Sequence, residues 1–163
     1  MFQNFAVTTD PKNGPPRLAA LRQTMRENDV TAYLVPRADA YQGEYVAPCD
    51  ERLAWLTGFT GSAGFAAITM DTAGVFIDGR YRLQVRNQIS LSDFSPVNWP
   101  ETKLSNWLGS TLPQGGRVGF DPWLHTEKEI AELTATLSTQ QITMVPLDNL
   151  IDKIWQDRPA PPK

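Results

Sequence analysis

Residues 44–81 read EYVAPCDERLAWLTGFTGSAGFAAITMDTAGVFIDGRY, the most heavily punctuated stretch of the chain. Pro48 discourages helix before it, and Asp50 is a good N-cap for a short helix carrying Leu53, Ala54 and Leu56. Gly58 stands where a helix ends in positive φ. Gly61 and Gly64 let the chain turn and approach other backbone before a strand opens at Phe65-Ala66-Ala67-Ile68. Asp71-Thr72-Ala73-Gly74 is a turn and Val75-Phe76-Ile77 the returning strand, so the hairpin delivers Asp78, Gly79 and Arg80 to one end of a sheet.

Upstream of this stretch, Leu18, Leu21 and Met25 space out one face of a helix from Arg17 to about Asn28, and Ala32-Tyr33-Leu34-Val35 is a short buried strand stopped by Pro36. Downstream, Arg80 to Asn87 or Ile89 reads as a helix with Tyr81 and Val85 facing inward. Pro96 marks an edge strand at 93–97, because it removes a ladder donor. Asn98 and Glu101 suggest a helix start, followed by the stripe Leu104, Trp107, Leu108 and Leu112. A strand at 117–120 precedes the capping box Thr126–Glu129 and a helix faced by Ile130, Leu133 and Leu137. Ile142 to Val145 is the last strand, and Asp148 is the expected cap of a final helix bearing Leu150, Ile151, Ile154 and Trp155. The order α-β-α-β-β-α-β-α-β-α-β-α predicts an α/β fold: a mixed, mostly parallel sheet with helices on both faces and one antiparallel hairpin.

With 163 residues, 41% of them hydrophobic and 20% charged, the chain suffices for one core. A net charge of −3 without basic runs argues against nucleic acid, and no apolar run of about 18 residues offers a membrane span. The start MFQNFAVTTD has no secretory pattern, and the single Cys49 has no internal disulfide partner. Prolines at both ends mark residues 1–16 as an expected flexible lead-in, 17–156 as the domain, and 157–163 as a linker stub.

The run EYVAPCDERLAWLTGFTGSAG followed by DGRYRLQ resembles the N-terminal domain of Xaa-Pro aminopeptidases (aminopeptidase P) of the creatinase/prolidase superfamily, closest to their long, three-domain form. The resemblance extends to RVGFDP at 117–122 and LIDKIWQDRP at 150–159. It implies a three-layer, ribonuclease-H-like fold and a cytoplasmic enzyme that removes the residue preceding proline. It also implies two divalent cations, usually Mn²⁺, held by two Asp, one His and two Glu of a C-terminal "pita-bread" catalytic domain lying beyond this chain. The expected partners are that domain and short proline-containing peptides, with a homo-oligomeric full-length enzyme. The expected role of this domain is to narrow access to the metal pocket and support assembly. An alternative from another class is a peptide- or histone-binding module, as in the large subunit of the FACT histone chaperone. Creatinase or prolidase proper is a third.

No catalytic or metal-ligating set is expected within the chain, and hence no cofactor. His125 is the lone histidine, beside the capping box, and reads as a cap neighbour. Cys49 reads as a small buried residue, and Ser62 sits in Gly-Ser-x-Gly rather than the Gly-x-Ser-x-Gly of a nucleophile elbow. Arg80 is the one candidate substrate-binding residue. The resemblance turns it toward the catalytic pocket, where its planar fork can pair with a peptide carboxylate or carbonyl. Alternatively, Asp78 and Arg80 hold each other across the turn. Tyr45, Trp55 and Phe59 could line the same rim or simply fill the core.

Overall fold

The computed structural model describes residues 10–38, 46–61, 64–113 and 115–160. The rim residue Tyr45, the elbow-like Ser62 and most of the expected lead-in lie outside them. The expected element order is reproduced: α1 (Gly14–Glu27), β1 (Ala32–Pro36), α2 (Arg52–Thr57), β2 (Phe65–Thr69), β3 (Ala73–Ile77), α3 (Arg82–Gln88), β4 (Ser95–Asn98), α4 (Leu104–Thr111), β5 (Arg117–Phe120), α5 (Glu127–Ser138), β6 (Thr143–Pro146) and α6 (Leu150–Ile154).

The six strands lie in the order β4-β3-β2-β1-β5-β6. β2 is antiparallel to both neighbours, and the other three pairings are parallel. Five strands therefore point one way, with β2 reversed in the middle. The β3–α3–β4 and β5–α5–β6 crossovers run toward opposite edges of the sheet. To share one hand they must use opposite faces, and they do: Val85 and Ile89 of the α3 segment join one core, Leu137 of α5 the other.

The central strands read as continuous apolar runs because both faces are covered. Tyr33, Val35, Ala66, Ile68, Val75 and Ile77 face the layer of α1, α2, α3 and α6, together with Leu21, Met25, Leu56 and Ile151. Ala32, Leu34, Ala67, Phe76 and Val118 face α4 and α5, together with Leu108 and Leu137. Pro96 does sit on an edge strand. The capping box forms as expected, with Glu129 N–H donating to Thr126 Oγ1 at 3.1 Å and Thr126 N–H to Glu129 Oε1 at 3.2 Å.

Some boundaries differ from expectation. α1 begins at Gly14 rather than Arg17, preceded by a 3-10 turn at Pro11–Asn13 that Asp10 caps. Pro15 and Pro16 fall in the first turn, where a missing N–H costs nothing. Asp148 is not the cap of α6: Asn149 Oδ1 accepts from Ile151 and Asp152. Asn98 ends β4 instead of opening α4, which starts at Leu104 after a turn. Asp50 closes a 3-10 turn at Pro48–Asp50 and does not cap α2. In the expected stub, Arg158 is fastened to the domain, its Nε donating to Cys49 O at 2.7 Å.

Candidate functional site at the carboxyl edge of the sheet

Because five strands share a direction, their carboxyl ends collect at one edge, where open α/β sheets present ligand sites. β3 ends there in the turn carrying Arg80. Asp78 caps this 3-10 turn (Gly79–Tyr81), its Oδ1 accepting from Arg80 N–H at 2.9 Å. The same carboxylate takes the guanidinium: Nε reaches both oxygens at 3.2 Å and Nη2 reaches Oδ2 at 2.8 Å. The Arg80 side chain is nonetheless 68% exposed, and its guanidinium carbon stands 5.2 Å from the Tyr81 ring centre. These hydrogen bonds hold the Asp78 carboxyl below its usual pKa and raise that of Arg80. The intramolecular brace exists, therefore, and it leaves one Arg80 edge accessible to an acceptor.

The glycine-rich run packs directly behind this turn. Gly58 ends α2 at φ 91°, its N–H donating to Ala54 O. The chain then places Phe59, 1% exposed, edge-on against Tyr81 at 5.5 Å. A Cβ on Gly61 would lie 2.9 Å from Phe59 Cε1 and 2.9 Å from Tyr81 Cδ1, and one on Gly64 would lie 2.9 Å from Phe59 Cε2. The glycines thus serve packing around one aromatic ring. Phe59 is core, while Trp55, half-buried, stacks on Trp155 at 5.4 Å beneath Arg17 at 4.6 Å. Beside the loop lies a groove of about 610 Å³, with walls that include Arg17, Arg37, Glu51, Trp55, Thr60 and Trp155. Within it Arg37 Nη2 meets Glu51 Oε1 at 3.2 Å, and burial raises the Glu51 pKa against the pull of that arginine.

Behind α2 the structure reveals a network that no spacing rule announced. Arg52, 5% exposed, donates to both oxygens of Asp152 at 2.7 and 3.1 Å and lies 3.5 Å from Asp50. Arg158 meets Asp50 at 3.3 Å and Asp152 at 3.4 Å. Burial works to lower the Arg52 pKa, but Asp152, Asp50 and Asp121 together outweigh it and raise the value. The network joins the Cys49-Asp50-Glu51-Arg52 and Asp152–Arg158 segments across about a hundred residues. The only sequence signal is that each segment carries both signs of charge.

Cys49 is buried and its thiol pKa is raised, first by burial, which favours the protonated thiol. His125 sits just before the cap, Nδ1 at 3.5 Å from Glu129 and its ring edge-on to Phe120 at 5.9 Å. Its side chain is 7% exposed and its Nε2 has no hydrogen-bond partner. Burial lowers its pKa from 6.5, opposed by Glu129 and Asp121. The unfolded imidazole takes a proton near pH 6.5 while the folded one does not. The stability held by the neutral ring is therefore complete above about pH 6.5 and is lost as pH falls through the lower folded value. Urea unfolding at about pH 7.5 and pH 5.5 should show this loss in the wild type and a flatter profile in His125→Gln; equal slopes would remove His125 as the cause. Among the described residues, no group of three or more His, Cys, Asp or Glu is placed to hold a metal ion. No helix among them is long and apolar enough to cross a membrane.

The chain belongs to the Creatinase/Prolidase N-terminal domain family, matched over residues 17–154. It is 40% identical over 148 residues to human Xaa-Pro aminopeptidase 2, covering 89% of this chain but 22% of that protein. Among solved structures it superposes on an X-prolyl aminopeptidase from Caenorhabditis elegans with TM-score 0.84 and 30% identity, over 89% of this chain and 26% of that one. That protein is described as a cytosolic enzyme with a di-nuclear active site. The N-terminal domain of the cytoplasmic peptidase PepQ from Mycobacterium tuberculosis matches 85% of this chain and 98% of its own, with TM-score 0.63 and 20% identity, which shows a shared fold. The chain thus spans about a quarter of the length of the full enzymes it matches, and nothing in these comparisons supports a histone-chaperone module.

Proposed function

We propose that this chain is the non-catalytic N-terminal domain of a metal-dependent Xaa-Pro aminopeptidase, acting in the cytoplasm. The observation carrying this is the likeness to aminopeptidases over nearly the whole chain, joined to an exposed Arg80 at the carboxyl edge of the sheet. The metal chemistry, with Mn²⁺ as the expected ion, belongs to a catalytic domain outside this chain. Among the described residues no set fits a metal: His125 is buried against Phe120 with Glu129 at 3.5 Å, and no group of three or more His, Cys, Asp or Glu converges. The domain's work is to bound the approach to that centre, admitting short proline-containing peptides and excluding folded chains, and to support assembly as a homo-oligomer.

In this function Arg80 uses the donors left over from Asp78 to meet a peptide carboxylate or carbonyl. In the intact protein carrying this domain, Arg80→Ala should lower kcat/KM for Xaa-Pro peptides roughly ten- to a hundredfold at unchanged metal content. Arg80→Lys should not restore it, because lysine keeps the charge and loses the planar fork. Wild-type kinetics in a folded Arg80→Ala protein would leave Arg80 as the brace of its own turn.

A further inference from the structure

Thr60 lies in the glycine-rich loop and contributes to the wall of the 610 Å³ groove. Its backbone N–H donates to Gln88 Oε1 at 3.0 Å. A backbone N–H can only donate, so this bond fixes which end of the Gln88 amide is oxygen. Gln88 Nε2 then faces Thr60 Oγ1 at 2.7 Å and must be the donor. Gln84 Nε2 donates to the same hydroxyl at 3.4 Å and to Gln88 Oε1 at 3.3 Å. A threonine hydroxyl has two acceptor positions and one proton. Both acceptor positions are taken from the α3 side, so the proton is left to point away from α3 as a donor only.

A ligand group that meets the Thr60 hydroxyl must therefore be an acceptor. The groove walls decide which kind. Arg17 and Arg37 are balanced by Glu51 and Asp10, and Arg37 is already engaged with Glu51. With no excess of positive charge among the described wall residues, the walls favour a neutral acceptor over a phosphate or free carboxylate. The most abundant neutral acceptor of matching size is an amide carbonyl, and the volume falls within the ordinary range for ligand clefts. We propose that the Thr60 hydroxyl, set by Gln84 and Gln88, is a hydrogen-bond donor to a backbone carbonyl of a peptide held in this groove. Thr60 is thus a binding residue, and Gln88 a positioning residue acting through it. This deepens the peptidase function proposed above and rests on it for the identity of the peptide.

The test is a titration of the 163-residue chain with the capped peptide Gly-Pro-Gly-Gly amide, followed by amide and indole resonances. Peptide up to about 10 mM should shift the Thr60 amide and the Trp55 indole N–H. Thr60→Val, which keeps the shape and loses the donor, should weaken binding about three- to tenfold, whereas Thr60→Ser should stay within about twofold of wild type. Gln88→Glu keeps an acceptor for the Thr60 N–H but turns the hydroxyl proton inward, so it should weaken peptide binding like Thr60→Val while hydrogen exchange at the Thr60 amide stays as in wild type. A merely structural Gln88 would leave binding intact in Gln88→Glu. Should Thr60→Val fail to fold, the serine and Gln88→Glu comparisons still decide. Undisturbed Thr60 and Trp55 signals at full peptide, or equal affinity for wild type and Thr60→Val, would overturn the inference without touching the peptidase function. Binding that follows Thr60, in an intact protein that cleaves no Xaa-Pro peptide, would overturn the peptidase function and keep the groove.

Discussion

Phe59→Ala is expected to lower stability by about 3–5 kcal/mol, the cost of emptying a fully buried aromatic site that cannot collapse. The site cannot collapse because its walls are glycine backbone on two sides and the Tyr81 ring on a third. No side chain from Gly61 or Gly64 can swing into the space. For a chain of this length the loss corresponds to a fall in Tm of about 6–20 °C. Thermal unfolding followed by far-UV circular dichroism measures it, and Phe59→Leu should lose less because it keeps part of the volume. The Arg80 turn should loosen as well, since Tyr81 would lose the ring it rests on. A Phe59→Ala protein within about 1 kcal/mol of wild type would mean that the loop repacks, and that the glycines are there for another reason.

Asp152→Ala should cost about 3 kcal/mol. Arg52 is 5% exposed, and without Asp152 its remaining ion-pair partner among the described residues is Asp50 at 3.5 Å. Removing one member of a buried pair leaves an uncompensated charge, which costs about 3–5 kcal/mol; the lower end applies because the Asp152 side chain is 32% exposed. The double variant Arg52→Met/Asp152→Ala removes the charge with its partner and should recover most of the loss. Arg158→Ala should fall between wild type and Asp152→Ala, since Arg158 is itself 30% exposed. Urea unfolding of the set decides the matter. A double variant as unstable as Asp152→Ala would show that the geometry of the segment, and not the orphaned charge, is what counts.

The layout of twelve elements was legible because each rests on a local signal: the Leu18/Leu21/Met25 stripe, the uninterrupted apolar strands, the Thr126 capping box, the Gly58 terminus. Where neighbouring residues compete for one role, sequence alone does not choose. Asp148 and Asn149 are both good caps, and only the path of the chain out of β6 decides that Asn149 Oδ1 meets the free N–H groups. The start of α1 was hidden by its prolines, which break helices everywhere except in the first turn, where they lie here. Of the candidate site, the Asp78–Arg80 turn could be read from four consecutive residues. The Arg52–Asp152 pair and the Thr60–Gln88 clasp could not, because they join residues about a hundred and about thirty positions apart with no fixed spacing to betray them.

The sheet's topology also bears on how the chain reaches its fold. One side of β1 is covered by β2, some thirty residues on, but its other side waits for β5, with Ala32 opposite Val118. During synthesis, and in any refolding experiment, Ala32-Tyr33-Leu34-Val35 therefore spends an interval as an unpaired apolar edge. Closing a loop of more than eighty residues is slow compared with forming the β2–β3 hairpin. The reversed strand at the centre of the sheet can form early, and the step most exposed to a neighbouring chain is the capture of β5.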